Sequence, residues 1–249
     1  MARTPPENLS DTEKAIWQEA VDFARQNKDE IAKEITCVDR HPAEEHPVSI
    51  FMAGSPGAGK TEWSKRFIQN ATSAGLLKEP IRIDADDLRD KLPGYTGNNS
   101  KIFQAAASIL VSKIIDYAFK QHQPFLLDGT FSNQALSEQN IVRSLDKGRS
   151  VLVNYVYQDP LIAWKFTKVR EQLEGRHIPK EAFIDQFLGA KETVGYIRHK
   201  FGDLIRVALI KKNLGMNNEE VVYLGPQDLS IDPYLGQGYS RHDLESLLP

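Results

Sequence analysis

Val48-Ser49-Ile50-Phe51-Met52-Ala53 is a short apolar run that empties into Gly54-Ser55-Pro56-Gly57-Ala58-Gly59-Lys60-Thr61. The second stretch is a full match to G-x-x-x-x-G-K-[ST]. Glycines at these positions let the backbone curl so that successive N–H groups point inward at phosphate oxygens. The Lys60 ammonium then reaches the outer phosphates and the Thr61 hydroxyl is placed for Mg²⁺. A helix starting at Lys60 adds its positive end to the same anion site. The bland alternative is a glycine-rich strand-to-helix turn with an incidental Lys-Thr. The complete spacing, the strand before it and the amphipathic stretch 60–72 after it all favour a nucleoside triphosphate site, for ATP or GTP with magnesium.

Outward from this loop the pattern repeats. Ile81-Arg82-Ile83-Asp84, Phe125-Leu126-Leu127-Asp128, the stretch 150–157 and Val221-Val222-Tyr223-Leu224 read as further short strands. Helical periodicity occupies 101–121, 134–147, 160–174 and 180–199 between them. Apolar strands alternating with amphipathic helices predict a three-layer α/β/α fold with a mainly parallel sheet of five to six strands. Upstream, Ser10-Asp11-Thr12-Glu13 is a capping-box pattern that opens an amphipathic helix over 10–36. The stretch 39–47 reads as a linker. Residues 1–47 are therefore expected to form an N-terminal helical extension and linker, packed on a domain over 48–249. The tail after Gly225 reads as irregular until a last helical turn at 243–248.

Composition narrows the function classes. The chain has 249 residues, a formal net charge of −3, 41% hydrophobic and 26% charged residues, as expected of an ordinary globular protein. The near-neutral balance argues against a broad, sequence-independent grip on nucleic acid. No apolar run approaches the ~20 residues that cross a bilayer, and the first residues carry no apolar signal core. Cys37 is the only cysteine, which excludes an internal disulfide and a multi-cysteine metal site. A cytoplasmic protein is expected.

Three features say what the nucleotide is used for. Asp84 closes a strand, at the edge of a parallel sheet where ligands bind, and a carboxylate there can take the proton of an attacking hydroxyl. Asp86 and Asp87 follow it; acids at a helix start also simply favour the dipole, and Asp87 is assigned to that role. Asp128 closes another strand ahead of Gly129-Thr130, as a Walker-B acid does, in reach of Mg²⁺ or a substrate hydroxyl; an Asp-Gly turn ends many strands as well. Finally, 165–179 concentrates cations. Arg170 and Arg176 suit a mobile clamp over a transferring phosphoryl group, whereas Lys165 and Lys168 read as a solvated helix face. His177 has no partner histidines at metal spacing. A GTPase's base-reading N-K-x-D is missing downstream of the loop: the single Asn-Lys, Asn27-Lys28, lies ahead of it and is followed by Asp29.

The succession of the loop, Ile83-Asp84-Ala85-Asp86, Leu127-Asp128-Gly129-Thr130, Arg170 and Gly175-Arg176-His177-Ile178-Pro179-Lys180 resembles the zeta toxin family of P-loop kinases. That resemblance covers about 48–224 together with the preceding helix. It implies that Lys60 and Thr61 hold ATP and Mg²⁺, that Asp84 is the base, and that Asp128 stands where the family has Glu. It further implies that Asp86, Asp128 and Thr130 bind the acceptor and that Arg170 and Arg176 face the triphosphate. The family's toxins phosphorylate the 3′-hydroxyl of UDP-N-acetylglucosamine and belong to toxin–antitoxin systems, so a nucleotide-sugar substrate and an antitoxin partner are implied too. Two positions depart from the pattern. Phe131-Ser132-Asn133 replaces a segment that usually brings an arginine, and Ser112 stands near the place of a helix acid. Both belong to the acceptor side, which leaves open another hydroxyl acceptor (nucleoside, NAD ribose, antibiotic or nucleic-acid 5′ end) or an ATP-binding regulatory module without turnover.

Overall fold

A computed structural model describes residues 4–6, 9–175, 177–213, 218–228, 230–236 and 238–249. In chain order the elements are α1 (Asp11–Ile35), β1 (Val48–Ala53), α2 (Lys60–Ser73), β2 (Ile81–Asp84), α3 (Ala85–Arg89), α4 (Gln104–Lys120), β3 (Phe125–Asp128), α5 (Gln134–Leu145), β4 (Ser150–Tyr157), α6 (Pro160–Glu174), α7 (Lys180–Phe201), β5 (Arg206–Asn213), β6 (Asn218–Tyr223), α8 (Asp232–Leu235) and α9 (Arg241–Leu247). The strands form one sheet in the order β2-β3-β1-β4-β5-β6. The first five in this order run parallel, and β6 returns antiparallel along β5.

Both sheet faces are covered, and the strand side chains alternate between them as the two-residue period requires. Phe51, Phe125, Val153, Tyr155, Val207 and Leu209 join the core under α1, α4 and α7. Ile50, Met52, Leu126, Val156, Ala208 and Ile210 join the core against Trp63 and Ile68 of α2. A third cluster ties α6, α7 and α9 through Trp164, Phe183, Phe187 and Leu244. The expected α/β/α sandwich with a mainly parallel sheet is what forms.

Two elements differ from the sequence reading. β5 was not anticipated: Val207-Ala208-Leu209-Ile210 follows α7 after a single 3₁₀ turn at Gly202–Leu204, so its apolar residues continue the helix pattern without a loop to mark the change. The stretch at Val221 proved to be an antiparallel edge strand and begins earlier, at Asn218. Beyond Gly225 the chain is more ordered than expected, because Arg198 is only 1% exposed and fastens it. The Arg198 guanidinium donates to the carbonyls of Gly202 (2.7 Å), Gly225 (2.6 Å) and Asp228 (3.0 Å). α8 and α9 follow, the latter opened by a capping box of Ser240 and Asp243.

α1 carries the predicted capping box, Ser10 with Glu13. Its buried face of Trp17, Ala20, Val21 and Ala24 shares one cluster with Ala106, Leu110 and Ile114 of α4. Trp17→Ala removes the largest of these side chains and leaves a cavity the helix pair cannot close. We expect a loss of about 3–5 kcal/mol of unfolding free energy, measured by urea titration.

Candidate functional site

The loop between β1 and α2 is held by close backbone approaches that admit no side chain at two positions. A Cβ on Gly54 (φ 140°) would stand 2.3 Å from the Val156 carbonyl oxygen, and one on Gly57 (φ 73°) 2.1 Å from that of Ala163. The loop therefore lies flat against the end of β4 and the first turns of α6. Thr130, past β3, accepts the Gly54 N–H at 3.0 Å and ties the loop to the third strand. Gly59, itself left-handed, is the N-cap of α2 and offers no side-chain acceptor to the helix's first N–H groups. Orphan donors at the positive end of a helix, inside a cradle of turned amides, make an anion site.

Lys60 occupies that cradle from within. Its ammonium donates to the carbonyls of Ser55 (2.7 Å) and Gly54 (3.0 Å). Burial pulls its pKa down from 10.5 to about 8; Asp128, Asp84 and Asp86 oppose the fall, and the charge of Arg170 adds to it. Arg170 is thereby placed within electrostatic reach of the loop lysine. Arg176 lies outside the described residues.

Strand register assembles the acidic side. β2 and β3 pair so that Asp84 stands directly opposite Asp128, beside β1 and its loop. Between the two carboxylates sits Arg82, which the sequence reading passed over. One guanidinium nitrogen, Nη2, donates to Oδ2 of both Asp84 (2.5 Å) and Asp128 (2.8 Å), and Nη1 to Asp87 (2.7 Å). Asp87 thus has a definite role, as a counter-charge to Arg82 from the first turn of α3. The signal for Arg82 was the period of two: residues 82 and 84 of one strand share a face.

Asp84 does two structural jobs as well. Its Oδ1 caps α3 by accepting the Asp86 N–H at 2.9 Å, while its Oδ2 takes Arg82. Burial pushes its carboxyl above the ordinary range; the Asp86 N–H and Arg82 work against this, and the charges of Asp128 and Asp86 work with it. A raised proton affinity suits a group that must take a proton. Asp128, buried at the strand end, accepts from Arg82 and from Ser64 Oγ of α2 (3.0 Å), both on Oδ2. Asp86 pairs with Arg89, which also reaches Gln104.

Two oxygen-bearing side chains near the loop bear on the expected magnesium. Thr61 and Asp128 carry hard oxygen donors of the kind Mg²⁺ takes. Among the described residues neither the Thr61 hydroxyl nor Asp128 Oδ1 has a hydrogen bond, and no group of three or more metal-ligating side chains lies together. Two protein oxygens suit Mg²⁺, which keeps several waters and shares phosphate oxygens, better than a dedicated cage. In the segment after Thr130, Asn133 caps α5 by accepting the Leu136 N–H at 3.0 Å, Phe131 is left-handed (φ 59°), and Ser132 Oγ lies 2.9 Å from Thr130 Oγ1. The segment that departs from the family pattern is thus spent on turning the chain into α5.

Other features lie apart. His177 pairs with Glu171, as does Lys168, which also sits 4.4 Å over the Trp164 ring. A concavity of about 590 Å³, bounded by Pro47, Phe119, His122, Arg143, Lys147 and Arg149, opens at the far end of the sheet. Asp116 and Asp146 line it too; Arg143 pairs with Asp116, and Arg149 donates to Ser49 Oγ and to the Val48 and Gln123 carbonyls. No helix among the described residues is long and apolar enough to cross a membrane.

The family model described as Zeta toxin matches residues 29–226. No curated protein matches the chain. Among solved structures, a chain from the PezAT chromosomal toxin–antitoxin system of the human pathogen Streptococcus pneumoniae has a TM-score of 0.63 at 14% identity, over 96% of this chain and 93% of that one. A chain from the AvrRxo1-ORF1:AvrRxo1-ORF2 complex with sulphate ions has a TM-score of 0.56 at 15% identity, over 88% and 68%. The same complex with ATP gives 0.54 at 16% identity, over 87% and 68%.

Lys60 supplies a test of the loop's electrostatics. A lysine depressed on folding contributes stability that is present above pH 10.5 and lost as the pH falls through about 8. Against Lys60→Met, the native protein is therefore at its relative weakest below pH 8 and gains ground between pH 8 and 10.5. Urea midpoints across this range measure the difference.

Proposed function

The chain belongs to the zeta toxin family, and from that premise we propose that it transfers the γ-phosphoryl group of ATP to a hydroxyl of a small molecule, with UDP-N-acetylglucosamine and its 3′-hydroxyl as the first acceptor to test. The observation that carries this reading is the meeting of Lys60, Asp84 and Asp128 at one sheet edge. A phosphate cradle and a strand-end base stand side by side there. The AvrRxo1 complex solved with ATP, a structure of similar fold, is in keeping with ATP as the donor.

The amides of Ser55, Gly57, Gly59, Lys60 and Thr61 would hold the phosphate chain, with Pro56 shaping the turn, while Gly54 and Ala58, whose N–H groups go to the Thr130 and Ser55 carbonyls, would keep the loop's shape around it. Lys60 would exchange the Gly54 and Ser55 carbonyls for phosphate oxygens, a charge-assisted contact stronger than the neutral ones it replaces. Thr61 and Asp128 would hold Mg²⁺, which when bound neutralises charge on the phosphates. Asp84 Oδ2 would release Arg82 and accept the acceptor's proton as the oxygen–phosphorus bond forms and the bond to the β-phosphate breaks. Asp86 and Thr130 would line the acceptor. Arg170 and Arg176 would spread over the transferring group, where charge grows on its oxygens. The N-terminal part up to residue 47 acts in this reading as packing for the kinase domain, and a trans-acting antitoxin, in the cytoplasm, as its restraint.

A second acceptor class has a specific reason behind it. Phe131, Ser132 and Asn133 shape the turn into α5, and Ser112 brings no charge. The acceptor wall thus lacks the arginine and acid that the family resemblance would place there. Mass spectrometry of metabolites incubated with the protein, ATP and Mg²⁺ decides between UDP-N-acetylglucosamine and another hydroxyl. A phosphorylated product that disappears with Lys60→Ala and falls on the order of 10²-fold or more with Asp84→Asn is expected. Tight ATP binding without product from any acceptor would replace the kinase with a regulatory module.

A further inference from the structure

Along β5 the side chains of Ala208 and Ile210 face α2 and share its core with Ile50, Met52 and Trp63. The next residue on that face is Lys212, one step beyond the core, and it arrives at the start of α2. Its Cε lies 3.2 Å and its Nζ 3.4 Å from the point where a Cβ on Gly59 would stand. A lysine thus leans on the second half of the phosphate loop from a strand that carries none of the motif.

Its setting differs from that of an ordinary cross-strand pair. Lys211–Glu220 and Lys212–Glu219 are successive pairs across the same two strands. The side chains of the first are 31% and 55% exposed, those of the second 17% and 21%. The second pair is therefore drawn in over the loop, and its Glu219 is shared with Arg66 of α2. A cation at a helix N-terminus is repelled by the dipole, and here α2 has no side-chain cap. Glu219 and Glu62, whose Oε2 lies 3.7 Å from the same Gly59 point, offset that repulsion. Near this loop Lys212 gains most when a polyanion is present.

Sheet order fixes which part of the anion it meets. Asp84 and Asp128 end β2 and β3 on one side of β1, and Lys212 comes from β5 on the other. A polyphosphate with its reacting end at the acids and Lys60 runs across the loop with its nucleoside end toward β5. We infer that Lys212 is a nucleotide-binding residue that contacts the nucleoside-proximal phosphate, and that Glu219 holds its ammonium in place until nucleotide arrives. The inference rests on the nucleotide reading of the loop given above.

Calorimetric titration with ATP and with ADP tests it, using the full chain as native protein, Lys212→Ala, Glu219→Gln and, as control, Lys60→Ala. Lys212→Ala is expected to weaken ATP and ADP by the same factor, about tenfold or more, since both carry the contacted phosphate and a hydrogen bond to a charged group is lost. With an acceptor in hand, the KM for ATP rises while kcat at saturating ATP stays within about twofold, as for an interaction made equally in ground and transition states. Glu219→Gln keeps native affinity or improves it, because the competing carboxylate is gone. Native affinity in Lys212→Ala overturns the inference. So does equal weakening in Lys212→Ala and Glu219→Gln, which would make the ion pair a support for the hairpin alone. If the native protein binds neither nucleotide, or Lys60→Ala binds as well as native, the nucleotide site itself falls, a result distinct from failure at Lys212 alone.

Discussion

Strand register sets two carboxylates side by side, and Arg82 makes that tolerable. Asp84 and Asp128 face each other across β2 and β3 because the register that starts at Ile81 and Phe125 ends on that pair. Two buried like charges at such a separation would force one to take a proton. A single guanidinium nitrogen serves both, and its neighbour serves Asp87. The guanidinium thus sets a positive charge against both carboxylates beside the loop. Removing the arginine would strand charge in a half-buried cleft, which is far costlier than never having had the pair. Through Asp87 and the Asp84 cap, this junction also ties α3 to the ends of β2 and β3.

The phosphate loop depends on a different economy of space. Gly54 and Gly57 lie within van der Waals contact of main-chain carbonyls from β4 and α6, so the loop is clamped between elements that are distant in sequence. Main-chain bonds add to the clamp: the Gly54 N–H goes to the Thr130 carbonyl and the Ala58 N–H to that of Ser55. The one long side chain in the cradle, Lys60, spends its charge on the loop's own carbonyls. These are weak partners that a phosphate can displace, so the loop stays shaped but receptive.

Much of this was legible beforehand. The loop, both strand-end acids and the helix–strand alternation as far as α7 are local patterns, each decided within a few residues. Less legible was anything set by pairing between distant segments. Arg82 reads as an exposed strand residue until Asp128, 46 residues away, is brought next to it. β5 is hidden by its abrupt start after α7, and Lys212 by the masking effect of an unremarkable Lys-Lys on that unrecognised strand. Asn133 looked like an acceptor-side substitution and is spent on capping α5, a competition between local and functional demands that spacing alone does not resolve.

Arg198 has a consequence for how this chain can change over time. Its donors go to main-chain carbonyls of Gly202, Gly225 and Asp228, a chemical group that every amino acid carries. This part of the anchorage is therefore indifferent to the side chains at those three positions, whereas Leu244 and Leu248 hold the segment's end by burial. Substitutions that spare the buried Ile231, Leu235, Leu244 and Leu248 can accumulate there, and its outward surface can be rewritten for new neighbours, while the attachment point stays put.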